Sequence, residues 1–209
     1  MSTDEAAPLT LLTTPGPPYH HCWMACKDQE EEITVIECGS YSGHLANHLM
    51  YSMNLLKPGV TINMFAMDTF SGFPYEGKEQ TYFKAGDLCP PDGMRVVEML
   101  HSIGVVPCVG RVEETLPVLL EDLGDRRIDF VFVDLDMLVP TKLCTKLLAG
   151  RIKVGGRIGY HDYDHDPKYV LRSLAVYIDK VFRNNPKWEE VKRKKSQDKR
   201  FVFFERIAE

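Results

Sequence analysis

Four side chains have the types and spacing for chemistry: Asp134, Asp136, His161 and Asp162. They follow two apolar runs, Phe130-Val131-Phe132-Val133 and Val154-Gly155-Gly156-Arg157-Ile158-Gly159-Tyr160. Carboxylates and imidazoles hold divalent cations and accept or donate protons near neutral pH. A stretch of helical character, Thr141 to Gly150, separates the runs. In a chain that alternates strand and helix, parallel neighbours carry ligand-binding groups at their carboxyl ends. The four side chains are therefore expected on one rim, as a candidate metal and catalytic site. Asp134 and Asp136, two residues apart, are expected on the same face of a strand. Aspartates at strand ends also cap loops or pair with surface cations, so the cluster matters more than any one member. Asp164, His165 and Asp166 extend the polar run, with Asp166 before Pro167 reading as a helix cap. Tyr160 and Tyr163 read as packing residues.

A second candidate lies earlier. Glu37-Cys38-Gly39-Ser40-Tyr41-Ser42-Gly43 joins a β-branched run, Ile33 to Cys38, to a helical pattern over His44 to Leu56. Glycines in such a turn let backbone approach a ligand and expose helix N-terminal amides. The spacing is E-x-G-x-x-x-G, not the dinucleotide fingerprint, and a tight turn without ligand is the alternative. Asp68 ends the next strand, where a carboxylate can accept hydrogen bonds from both ribose hydroxyls or cap the following turn. Together they favour a nucleoside-containing cofactor; Walker A is absent.

The elements that must position these groups follow from periodicity. Strands are predicted at Ile33–Cys38, Thr61–Met67, Val105–Val109, Ile128–Val133 and Arg157–Tyr160. Helices are predicted at His44–Leu56, Gly93–Ile103, Glu113–Asp122, Pro140–Ala149 and Pro167–Phe182. Trp188–Arg193 and Arg200–Glu205 read as a closing antiparallel hairpin. Ser71 to Asp92 is a long Gly/Pro-containing loop, and its part from Tyr75 to Asp92 is expected to shape an acceptor site, with Tyr82 and Phe83 as apolar walls. Residues 1–20, with Pro8, Pro15, Pro17 and Pro18, read as an extended arm, and residues 1–30 as an arm or partial lid. The remainder, 31–209, reads as a single domain with an open, mostly parallel α/β sheet.

Composition bounds the function classes. The chain has 209 residues, 44% hydrophobic and 26% charged, enough for one domain with a sizeable core. A net charge of −5 and a pI near 5.8 give no general attraction to nucleic acid or anionic membranes. Lys192-Arg193-Lys194-Lys195, with Lys199 and Arg200, reads as a solvated hairpin tip. No apolar run approaches the roughly 20 residues of a membrane helix, and Met1 to Glu5 lacks the positive charge of a signal peptide. Of the six cysteines, Cys38, Cys108 and Cys144 sit in core-like segments, so buried free thiols and a cytoplasmic location are expected. His20, His21, Cys22 and Cys26 form half of a zinc pattern with no second ligand pair.

The turn at Glu37, the string Asp68-Thr69-Phe70-Ser71-Gly72-Phe73-Pro74, the block Gly110 to Pro117 and the two acidic strand ends occur in an order that resembles the macrocin O-methyltransferase (TylF-like) family. The resemblance runs from about Glu37 to Tyr163, and the Asp68–Pro74 string is its most specific piece. It implies a Rossmann-like class I methyltransferase fold with a mostly parallel central sheet and a C-terminal antiparallel hairpin. It also implies an S-adenosylmethionine-dependent O-methyltransferase. The cofactor would lie against Glu37, Gly39, Ser40, Tyr41, Gly43, Asp68, Thr69, Phe70 and Asp134. A divalent cation, usually magnesium, would be held by Asp134, His161 and Asp162, with Asp136 as general base. The 28-residue separation of Asp134 and Asp162 also resembles catechol-type metal-dependent methyltransferases. The expected acceptor is a hydroxyl of a small molecule, a sugar or natural product.

Two departures from the family pattern stand out. One acidic residue of the family's pair is His161 here, and imidazole suits manganese, iron or zinc better than magnesium. His161 would shift the metal preference, weaken binding or lie outside the ligand set. The segment before the first strand is also short, so a lid would come from residues 1–30 or from a homodimer partner. Two other functions compete: a module that binds S-adenosylmethionine without catalysis, and a nucleic-acid methyltransferase using the Lys192 cluster, which the overall acidity disfavours. A nicotinamide enzyme is disfavoured by the missing fingerprint.

Overall fold

The computed structural model describes residues 17–74, 83–163, 172–191 and 200–209. Tyr82, the 164–166 run and the Lys192 to Lys195 cluster lie outside the described residues. The strands are β1 (Glu32–Cys38), β2 (Thr61–Asp68), β3 (Val105–Val109), β4 (Ile128–Val133), β5 (Ile152–Tyr160), β6 (Trp188–Glu190) and β7 (Val202–Arg206). They form one sheet in the order β3-β2-β1-β4-β5-β7-β6. The first five are parallel, and β7 runs antiparallel to both β5 and β6.

Among the described residues, six α-helices cover the sheet: α1 (Pro17–Cys26), α2 (His44–Leu56), α3 (Gly93–Ser102), α4 (Val112–Leu123), α5 (Leu138–Leu148) and α6 (Arg172–Phe182). Two apolar cores lie on opposite faces. One gathers Ile33, Val35, Phe130 and Phe203 under α1, α2 and α3; the other gathers Ile36, Val131, Ile158 and Phe204 under α4, α5 and α6. Successive strand residues alternate between the two cores, so central strands buried on both sides read as continuous apolar runs. At α3 the Asp92 carboxylate accepts from the Arg95 amide at 3.0 Å, a side-chain cap that fixes where the long loop ends.

Helix α1 departs from the expected arm over Pro17 to His20. Pro17 opens the helix, where a missing N–H costs nothing and the fixed φ is already helical. Tyr19, Cys22 and Cys26 then share a buried face against the sheet. His21 stacks on Phe203 with ring centroids 3.8 Å apart, and its Nδ1 accepts from Arg157 at 3.1 Å. Arg157 also bonds Glu205 through Nε at 2.9 Å. Burial, with the Arg157 and His20 charges adding, lowers His21 to about 3. All six cysteines are free, and Cys22, Cys26, Cys38 and Cys144 are buried.

The register fixes what the sheet presents to a ligand. Met67, Cys38, Val133 and Tyr160 pair across β2, β1, β4 and β5 as one row. The next residues in each chain segment, Asp68, Gly39, Asp134 and His161, therefore leave the sheet from one level. Strand order reverses between β1 and β4, which splits the connections apart and opens a crevice above that row.

Candidate functional site

A cavity of about 420 Å³ lies at this crevice. The β1 turn contributes Gly39 and Tyr41, the β2 turn Asp68 and Thr69, the β4 turn Asp134 and Asp136, and the β5 turn His161 and Asp162. Its size is within the usual range for small-molecule sites, roughly 300–1,000 Å³.

The floor is made by two turns in close contact. Gly39 has φ +89°, and a Cβ built on it would stand 1.8 Å from the Asp134 carbonyl oxygen. The Asp134 amide donates to Cys38 O at 2.8 Å, and the Gly39 amide to Met67 O at 2.9 Å. Only glycine allows the β1 and β4 turns to meet so closely. Asp68 ties the β1 and β2 turns together: the Tyr41 amide donates to its Oδ2 and the Phe70 amide to its Oδ1, each at 2.8 Å. Oδ1 also accepts from the Thr69 hydroxyl at 3.4 Å, so the carboxylate is a turn cap and a fixed acceptor in the cavity wall whose Oδ2 keeps a lone pair for a ligand hydroxyl.

Tyr41, Phe70, Asp136 and Asp162 all have φ between 50° and 54°, one each after β1, β2, β4 and β5. Non-glycine residues in the left-handed region are uncommon, and three of these four, Tyr41, Asp136 and Asp162, line one cavity, a mark of sites where strain serves function. This also revises the expected reason for the Asp134–Asp136 pairing. Both aspartates lie beyond the end of β4, so strand alternation does not align them. The left-handed turn at Asp136 brings them to the same cavity.

Asp134, His161 and Asp162 offer ligand atoms that all lie within 4.8 Å of one another. His161 Nδ1 is 3.2 Å from Asp134 Oδ1 and 3.0 Å from Asp162 Oδ2. The nitrogen is buried, and its close contacts with the two oxygens are ion pairs that do not reach hydrogen-bond geometry. Burial favours the neutral imidazole, but the two carboxylates outweigh it and raise His161 to about 10. Burial also raises Asp136 to about 8; its hydrogen bond to Asp162 and the Asp134 charge add, and His161 opposes. Asp134, His161 and Asp162 would together suit a divalent cation, which would offset this crowding of acidic groups.

Four expected cofactor residues do not line the cavity. Glu37 and Ser40 are buried behind the turn, with the Ser40 hydroxyl donating to Glu37 Oε2 at 2.6 Å. Burial raises Glu37 to about 8; Ser40 and the Ala46 amide work against it, and the charges of Asp134 and Asp68 add. Gly43 precedes α2 and packs on Leu100, while Phe70 is buried in the core. Tyr160 and Tyr163 are likewise structural: the first bonds Thr145 Oγ1 at 2.9 Å and the second receives from Arg183 at 2.8 Å.

Gly110 and Arg111 after β3, Glu113 in the first turn of α4, and Leu135, Met137 and Leu88 also line the cavity and were not singled out as site residues. Arg111 Nη2 donates to Pro74 O at 3.0 Å, tying this wall to the loop after β2. The signal for Gly110 and Arg111 was their place directly after a strand. Phe83 lines the cavity and packs on Phe73, with ring centroids 5.6 Å apart. Among the described residues, no helix is long and apolar enough to cross a membrane.

No protein-family model and no curated protein matches the chain. Solved structures do. CalS11, described as a calicheamicin methyltransferase and, in its apo form, as a TDP-rhamnose 3'-O-methyltransferase, is 19% identical. It superposes with a TM-score of 0.70, covering 95% of this chain and 77% of its own. The O-methyltransferase NovP is 15% identical, with a TM-score of 0.65 over 90% of this chain and 77% of NovP. SMU.1697c of Streptococcus mutans, solved in complex with SAH, is 12% identical, with a TM-score of 0.54 over 91% of this chain and 98% of its own. At such identities the likeness is one of fold: the chain has the Rossmann-like α/β fold of class I methyltransferases.

Proposed function

We propose that the protein is an S-adenosylmethionine-dependent O-methyltransferase, assisted by a divalent cation, that acts on a hydroxyl of a small molecule such as a sugar or natural product. One observation carries the reading. The glycine turn, the fixed Asp68 carboxylate and the Asp134–His161–Asp162 cluster share one cavity at the point where strand order reverses. The sequence resemblance to the macrocin O-methyltransferase family supports it, as do the names of CalS11 and NovP.

In this reading Gly39 and Tyr41 support the methyl donor, Asp68 accepts from its ribose hydroxyls, and the acidic wall favours its sulfonium charge. Asp134, His161 and Asp162 hold the cation. When bound, a divalent cation there supplies Lewis-acid polarisation of the acceptor hydroxyl. Transfer forms a C–O bond as the C–S bond breaks, and the hydroxyl proton must leave. Asp136 lies in the cavity but outside the cation-holding set, which leaves its carboxylate to take that proton. Phe73, Phe83 and Met137 exclude water and seat the apolar part of the acceptor. Holding both reactants in line contributes on the order of 7–11 kcal/mol.

The test is calorimetric titration with S-adenosylmethionine, then product mass spectrometry over a panel of hydroxylated small molecules, with and without chelator. Absence of cofactor binding would reject the reading, and turnover indifferent to chelator would reject the metal's part in it. Asp136→Asn should lower the rate about 10²–10⁴-fold with cofactor affinity retained. A protein that binds the cofactor without catalysis would show no functional change in that variant.

A further inference from the structure

We infer that the Asp134–His161–Asp162 cluster is built for a first-row transition-metal ion that accepts nitrogen, with manganese(II) as its representative, rather than for magnesium. This deepens the metal-assisted reading above and rests on it. Three possibilities were open from sequence: that His161 shifts the metal preference, weakens binding or stands outside the ligand set. Its position in the fold answers the last of these. The imidazole leaves β5 at the same level as Asp134 leaves β4, with the His161 amide donating to Val133 O at 3.0 Å. Phe201 packs edge-on against the ring, with centroids 4.7 Å apart and planes at 64°, which holds the ring toward the carboxylates.

The separations themselves argue for shared coordination. Donors on neighbouring positions of one ion with bonds of about 2.1 Å stand roughly 3.0 Å apart. His161 Nδ1 stands 3.2 Å and 3.0 Å from oxygens of Asp134 and Asp162, without the alignment that a hydrogen bond to either would need. A buried ring nitrogen aimed between two carboxylates is a donor set for an ion in common. The set is one nitrogen and two carboxylates, and it leaves positions open toward the cavity.

Donor chemistry then selects the ion. Magnesium binds oxygen, holds its waters tightly and depends on the negative charge of its ligands. A histidine in place of a carboxylate removes one such charge and offers a nitrogen that magnesium uses poorly. Manganese, iron, cobalt and zinc accept imidazole readily. Asp136 is beside this set but not in it, so it does not restore an all-oxygen site.

The experiment uses the full chain freed of metal with chelator. Manganese(II) binding is followed by the electron paramagnetic resonance of the free ion, magnesium is titrated as competitor, and pulsed spectra of the bound ion are examined for nitrogen coupling. SAH binding is measured in parallel by calorimetry. The expected result is nitrogen coupling from an imidazole and an affinity for manganese at least tenfold above that for magnesium. His161→Asp should abolish the coupling and lower the manganese-to-magnesium ratio at least tenfold while SAH still binds. The wild-type spectrum tests the inference even if that variant does not fold. Manganese that binds, is lost in Asp134→Asn and shows no nitrogen coupling would overturn the inference and leave the metal-assisted reading intact. No binding of either ion, with SAH bound normally, would overturn both. Failure to bind SAH would reject the methyltransferase reading, whereas the metal spectra would still decide the role of His161.

Discussion

Replacing Gly39 by alanine tests whether the contact between the β1 and β4 turns builds the site. Two costs are expected, and a second glycine separates them. Gly59 has φ +88°, almost the same as the +89° of Gly39, but a Cβ there would meet nothing within 4 Å. Gly59→Ala therefore carries only the left-handed penalty of about 1–2 kcal/mol, partly offset by about 0.4–1 kcal/mol from a less flexible unfolded chain. The net is about 1 kcal/mol, or a melting shift of roughly 2–4 °C in a chain of this size. Gly39→Ala adds a collision at 1.8 Å with the Asp134 carbonyl oxygen, so one turn must retreat by more than about 1 Å. That retreat strains the bonds from Asp134 N to Cys38 O and from Gly39 N to Met67 O, each contributing about 0.5–1.5 kcal/mol. The total is about 3 kcal/mol, a shift of roughly 6–12 °C. Because Asp134 moves with its turn, SAH affinity should fall at least tenfold in Gly39→Ala and stay unchanged in Gly59→Ala. Thermal melting by circular dichroism and calorimetric titration read both effects. If the two variants melt together and Gly39→Ala binds SAH like the wild type, the account of the floor is wrong.

Other expectations follow from particular groups. Asp68→Asn loses a charged acceptor while keeping its shape, so cofactor binding measured by calorimetry should weaken by about 1.5–3 kcal/mol. His21 is held neutral at about 3 against an ordinary 6.5, so the unfolded chain binds the extra proton. Its effect is absent above pH 6.5 and grows as pH falls toward 3, reaching about 2 kcal/mol of destabilisation at pH 5. Urea titrations of His21→Gln should show a flatter acid limb, and an unchanged limb would refute the assignment. Glu37 has the opposite linkage: its folded value of about 8 exceeds the ordinary 4.5, so the native state holds the proton and stability falls as pH rises from 4.5 to 8. Glu37→Gln should remove that loss, by up to about 3 kcal/mol at pH 7, in the same urea assay. Thr145→Val leaves the buried Tyr160 hydroxyl without its partner at 2.9 Å and should cost about 1–3 kcal/mol in thermal melting.

What the sequence determined by itself is the alternation of elements and the level at which the chemical groups stand. Strands such as Ile128–Val133, buried on both faces, declare themselves as local apolar runs, and His44–Leu56 declares itself by a local repeat. A right-handed parallel arrangement then leaves few places for Asp68, Asp134 and His161 other than one edge of the sheet. Local patterns missed α1, because prolines at 17 and 18 read as extension when they in fact begin a helix. The tertiary structure alone decided the rest. That His21 accepts from Arg157, 136 residues away, depends on how α1 crosses the sheet. That Asp136 enters the cavity depends on a left-handed turn that no alternation rule contains. That His161 faces Asp134 and Asp162 depends on the register of β4 and β5 and on the ring of Phe201. Spacing along a chain sets which residues are neighbours on one element; distances of 3 Å between elements are set by packing, which no stretch of sequence carries by itself.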